Sequence, residues 1–192
     1  MGGLRPSGPD GSVAVTWGTT VDERLMPFPC DPHVRAPDAA YFRGVDVQAP
    51  AAVVFRWLCQ LRVAPYSYDW IDNLGRPSPR QLTPGLEQLA VGQRLMTGFE
   101  LAEFEVDRHL TLVARPSFGR VFGLEALAVS YVVLPRDAGC SRLLVKVLVR
   151  HVPGLIGSLA SWLLPWGDLV MMRKQLLNLK YLAEDHARRD GV

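Results

Sequence analysis

Few of the residues that usually announce a chemistry occur in this sequence, and none stands at a telling spacing. Its three cysteines, Cys30, Cys59 and Cys140, are far apart and never form a C-x-x-C pair. That pattern excludes a disulfide frame or a zinc ribbon and reads as free thiols in a reducing, cytoplasmic setting. The four histidines, His33, His109, His151 and His186, show no metal-ligand spacing. There is no Ser-His-Asp order, no Gly-rich phosphate loop, no H-E-x-x-H and no paired-carboxylate spacing. An excess of one charge is lacking too. Lys and Arg number 21 against 19 Asp and Glu, which leaves a net charge of +2. A chain so nearly neutral, with no block of like charges, has no electrostatic footprint for nucleic acid. Its tryptophans Trp57, Trp70, Trp162 and Trp166 therefore read as core or cavity wall, not as a base-stacking platform.

The first twelve residues contain no apolar core of a secretory signal and are rich in Gly, Pro and Ser, so they are expected to be loose. One apolar stretch, residues 154–172, is nearly long enough to span a bilayer. It carries a Pro165-Trp166-Gly167-Asp168 break and runs straight into an amphipathic pattern, which argues against a span and leaves contact with a membrane surface or an apolar ligand open.

What is present is a globular composition. A chain of 192 residues, 48% hydrophobic and 21% charged, is long enough to bury one substantial core. Residues 1–38 read as a loose Gly/Pro-rich extension, with Trp17 and Phe28 as anchors, and 39–189 as the domain. Tyr41–Gln48 alternates as a strand, and Ala49-Pro50 stops it and opens a helix. Val54, Trp57, Leu58 and Leu61 then fall on one stripe of a helix over about 50–62. Ser67 is placed to cap a second short helix that Gly75 closes, with Asp69 in its first turn. Strands are expected over 93–96, 99–106, 110–115, 124–134 and 141–152, with a bulge where the alternation slips near Glu103. Pro165 and Gly167 are expected to kink or start a last helix, which from Asp168 to Arg189 measures roughly 33 Å. This is an α+β layout with helices segregated to one face of an antiparallel sheet.

Four strings carry a resemblance to a known superfamily. They are Val47-Gln48-Ala49-Pro50 with residues 53–58, the run Tyr66-Ser67-Tyr68-Asp69-Trp70-Ile71-Asp72-Asn73-Leu74, the run Gln88-Leu89-Ala90-Val91-Gly92-Gln93, and residues 141–147. In this order they resemble the helix-grip fold of the START-domain and polyketide-cyclase-like (SRPBCC) superfamily, and within it an uncharacterised bacterial subgroup. Gln93 stands where that pattern usually has Asp, and Ser141 and Lys146 replace the commoner Thr and Arg. The resemblance implies a curved antiparallel sheet wrapped around a long C-terminal helix, with two short helices after the first strand. It also implies a deep apolar pocket between sheet and helix, and no metal or nucleotide cofactor.

Two functions of different class follow. In one, the protein binds a hydrophobic small molecule such as a lipid, isoprenoid or polyketide-like ring. Tyr66, Tyr68 and Trp70 then line or gate the mouth, Val147, Val149, Met172 and Leu176 form walls, and Glu103 points in from its bulge. In the other, the same pocket performs a polyketide cyclase or dehydratase reaction with Asp69 or His151 as acid/base. Asp69 among aromatics suits a raised pKa, but an acid in the first turn of a helix also has a capping role. His151 at the end of an apolar strand face fits a core histidine equally. Nothing in the sequence indicates an oligomeric state.

Overall fold

The computed structural model describes residues 12–68, 75–137 and 139–191. The expected second short helix after the first strand, with Asp69 and Trp70, lies outside the described residues. The domain is an α+β helix-grip fold: one six-stranded antiparallel sheet and a long C-terminal helix. In chain order the strands are β1 (Ala39–Val47), β2 (Arg94–Leu95), β3 (Phe99–Glu105), β4 (His109–Ala114), β5 (Leu124–Asp137) and β6 (Cys140–His151). They pair in the order β1-β6-β5-β4-β3-β2. The longest ladder is the β5–β6 hairpin, in which Val129 faces Val147 and Tyr131 faces Val145. β1 adds to it with Tyr41 opposite Val147 and Arg43 opposite Val145. Rows such as Arg43, Val145, Tyr131 and Leu110 thus run across four strands on one face. The expected bulge is present: the β3–β4 register shifts between Leu101 and Glu103.

The helices are α1 (Val13–Thr16), α2 (Val21–Leu25), α3 (Ala51–Cys59), α4 (Pro116–Val121) and α5 (Leu155–Asp190). Pro50 precedes α3, whose Val54, Trp57 and Leu58 are buried as the stripe requires. The inner face of the sheet packs on α3 and on the second half of α5. Val45, Leu112, Val133, Leu143 and Val149 meet Leu176, Leu179, Leu182 and Ala183 there in one buried cluster.

The last helix departs from expectation. It begins at Leu155, passes through Pro165 without a break, and spans 36 residues, about 54 Å. A proline inside a helix removes one donor and leaves the carbonyl four residues earlier unpaired. Here that carbonyl belongs to Ser161, an exposed residue, where solvent access lowers the cost of leaving it without an intrahelical partner.

Residues 12–38 also depart from it. Expected as part of a loose extension, they carry α1, α2 and a 3₁₀ turn at Asp31–His33 and fold round the edge of β1. The Gly44 N–H of this edge strand donates to Trp17 O at 3.1 Å, which covers a free sheet edge. The chain then crosses the outer face, where Phe28, Cys30 and Val34 bury Leu144, Leu148 and Ala128. Thr20 and Glu23 form a reciprocal cap at α2. Glu23, itself buried, takes Arg142 Nε at 2.8 Å and Nη2 at 3.0 Å, and this guanidinium holds the carboxyl below its usual range. Composition alone points to a loose segment because its prolines and glycines say nothing of the apolar outer face that receives it.

Gly18 is the tightest point of the wrap. Its φ is +74°, and a Cβ would stand 2.2 Å from Gly44 O. Gly18→Ala is expected to cost at least about 2 kcal/mol, from left-handed strain plus backbone overlap. A fall in Tm with faster amide exchange over 20–38 checks this, and an unchanged Tm contradicts it.

Candidate functional site

Between the sheet and the middle of α5 the apolar wall is interrupted by one polar cluster. Arg43 lies in β1 on the same side as Tyr41, Val45 and Val47, and its residue is fully buried. Its guanidinium donates from Nη1 to Phe42 O at 2.8 Å and from Nη2 to Ala14 O at 2.7 Å. Nη2 also reaches Asp168 Oδ2 on α5 at 2.7 Å. Three chain segments therefore meet at a single cation. Two polar atoms here have no partner: the Tyr41 hydroxyl and Arg43 Nε.

Burial governs the electrostatics. It pushes the Asp168 carboxyl up to about 6, against the opposing pull of Arg43. The same desolvation lowers Arg43, though an arginine in this range stays charged. Tyr41 and Tyr131 are both raised, chiefly by burial and secondarily by the nearby Asp168 carboxylate. Tyr131 donates to Gln175 Oε1 at 2.7 Å, and Gln175 Nε2 donates to Pro65 O at 2.6 Å. Asn178 Nδ2 donates to Tyr66 O at 2.8 Å. Tyr66 is held there at φ +56°, a left-handed conformation costly for a bulky residue, with its ring edge-on to Trp57.

The residues singled out from the sequence fall into several groups. Val147, Val149, Leu176 and Tyr66 are buried on the inner side, and Met172 packs against them. Met172 Sδ lies 4.0 Å from the Tyr131 hydroxyl. Tyr68 is only partly buried, and Asp69 and Trp70 lie outside the described residues. Glu103 does not point inward. The bulge places it on the outer face, where its Oε1 is 3.2 Å from His33 Nε2. His151 sits at the end of β6 beside the start of α5, with Nδ1 3.4 Å from Asp38 Oδ2 and Nε2 buried without a partner. Two open recesses occur among the described residues, one lined by Thr20, Glu23, Met26 and Arg136, the other by Gly18, Asp46, Arg142 and Lys180. The second lies at the sheet edge where β1 meets α5.

Arg43, Asp168, Tyr41, Tyr131 and Gln175 were not among the expected site residues. A signal for Arg43 exists in the sequence, because the alternation of β1 puts it in line with Tyr41, Val45 and Val47. Asp168 carries no such mark. Its role depends on a helix that continues through Pro165.

No family model and no curated protein matches the chain. Solved structures do. A protein from Thermobifida fusca, determined by solution NMR, aligns with 19% identity over 78% of this chain and 93% of its own, at a TM-score of 0.50. At that identity the likeness shows the fold alone, the α+β helix-grip arrangement described above. The di-domain aromatase/cyclase BexL aligns at 13% identity over 76% of this chain and 46% of its own, TM-score 0.49. The ZhuI aromatase/cyclase from Streptomyces sp. R1128 aligns at 12% over 80% and 95%, TM-score 0.45. Identities this low carry no site from one chain to another.

The burial of Asp168 sets a pH dependence. The folded protein keeps a proton on Asp168 up to about 6, whereas the unfolded chain releases it near 3.9. The folded state binds the extra proton in that window, so stability falls as pH rises from about 4 to about 6, by up to roughly 3 kcal/mol. Urea denaturation of wild type and Asp168→Asn checks this: the difference between them should drift across the window, and a constant difference contradicts it. Arg43→Ala strands a carboxylate and opens a void, with an expected loss of about 3–5 kcal/mol at pH 7.

Proposed function

We propose that the protein binds a hydrophobic small molecule carrying a carbonyl, carboxylate or phenolic oxygen, held between the inner face of the sheet and α5. One observation carries this reading. The Tyr41 hydroxyl and Arg43 Nε are buried donors without partners among the described residues, on a wall lined largely by apolar side chains. A buried donor left unpaired costs about 1–3 kcal/mol, and an acceptor on a ligand removes that cost. Val147, Val149, Met172 and Leu176 supply the adjoining apolar surface. Isoprenoid, lipid and polyketide-like ring compounds share the required chemistry. The free state of all three cysteines fits a reducing, cytoplasmic setting.

A second reading, cyclisation or dehydration of a polyketide-like substrate, is favoured by the Asp168 carboxyl at about 6. A carboxyl in that range exchanges a proton near neutral pH, as a general acid or base must. Neither Asp69 nor His151 is needed for it. In this reading Asp168→Asn abolishes turnover of a β-polyketone while leaving its binding.

Native mass spectrometry of freshly purified protein, with organic extraction, tests the binding reading. A retained apolar mass is expected, and so is saturable uptake of cis-parinaric acid or emodin. Tyr41→Phe should weaken the tighter probe about tenfold, the value of one hydrogen bond to a buried donor. No retained mass together with no uptake of either probe overturns the proposal.

A further inference from the structure

The first half of α5 presents a surface that the ligand reading does not use. Leu155, Ile156, Leu159, Trp162, Leu163, Trp166 and Val170 are all exposed, Leu155 at 90% and Trp162 at 71%. At 100° per residue they fall within an arc of about 120°. An apolar arc of that width normally faces a core, whereas here it faces water. Val121 and Phe122, at the end of α4, are exposed as well. They adjoin the stripe through Gly123, whose Cβ would stand 3.2 Å from Ile156 and 3.1 Å from Ala160. The patch is therefore continuous across two elements.

Charge decides what fits it. No charged side chain occurs from Leu155 to Gly167. The one acid in the next turns, Asp168, is turned inward to Arg43. Continued along the same arc, the stripe reaches Arg173 and Lys174, both exposed, and Arg120 stands exposed beside Val121. The surface thus joins aliphatic residues, two tryptophans one turn apart, and cations with no acid among them. A second copy of this chain would bring these cations against a stripe that offers no anion. Anionic headgroups above acyl chains match both parts at once.

We propose that the exposed face of α5, with the Val121–Phe122 tip, is a docking surface for an anionic lipid bilayer, and that the helix lies in the interface. By length and composition alone this helix could cross a bilayer, but Asp168 interrupts its apolar stretch and is paired inward with Arg43. Its other face is tied down by Gly157, where a Cβ would stand 1.8 Å from Val152 O, and by the Arg43–Asp168 pair. A helix so attached lies on a membrane and does not cross it. The docking surface stands apart from the ligand reading, because an empty inner site leaves the exposed stripe unchanged.

The test is co-sedimentation of the full chain with sucrose-loaded vesicles of phosphatidylcholine, with and without 30% phosphatidylglycerol. Binding is expected to rise with the anionic lipid and to fall with salt. Leu159→Glu/Trp162→Glu, at exposed positions, should lower the partition coefficient at least tenfold with Tm unchanged. Arg173→Gln/Lys174→Gln should lower it roughly fivefold per charge on anionic vesicles and leave neutral vesicles unaffected. Absence of vesicle binding overturns the proposal. So does a dimer in sedimentation velocity that Trp162→Glu dissociates, because a second copy then covers the stripe.

Discussion

The burial of Arg43 constrains the rest of this molecule. A guanidinium has five donors and cannot shed its charge, so its place on the inner face of β1 dictates what surrounds it. Ala14 brings the N-terminal segment, Phe42 the strand itself, and Asp168 the long helix. Each supplies an acceptor that a dry wall of Val, Leu and Tyr lacks. A buried ion pair of this kind contributes little net stability, because desolvation offsets most of the attraction. Its value is in position. It holds the middle of α5 over the sheet, and it leaves the Tyr41 hydroxyl and Arg43 Nε buried with no partner among the described residues.

The N-terminal wrap solves a second problem. The outer face of β5 and β6 carries Ala128, Leu144 and Leu148, too apolar to be left in water. Phe28, Cys30 and Val34 cover it, and the Arg142–Glu23 pair fastens the cover. The sheet is therefore buried on both sides, by α3 and α5 within and by residues 12–38 outside. The remaining exposed apolar surface is concentrated on the first half of α5 and the end of α4. That concentration is what distinguishes a docking face from the scattered exposed side chains of any globular protein.

The polar cluster and the exposed stripe occupy opposite faces of one helix. Asp168 looks in, while Trp166 and Val170, its near neighbours in sequence, look out.

Much of the architecture was legible in the residues. Alternation marks β1, β5 and β6, the Ala-Pro start and apolar stripe mark α3, and the slip near Glu103 marks the bulge. These are local patterns, and the spacing of side chains on a strand or helix repeats within a few residues. The start of α5 was not legible, because a proline reads as a break unless its surroundings show that the orphaned carbonyl is at an exposed position. The sequence by itself determined the strands, the helix faces and the absence of metal or nucleotide motifs. Only the tertiary structure decided that Glu103 faces outward to His33, that residues 12–38 are a cover, and that Arg43 meets Asp168. Those outcomes depend on contacts between segments far apart in sequence, His33 with Glu103 at a separation of 70 and Arg43 with Asp168 at 125, and no local pattern carries that information.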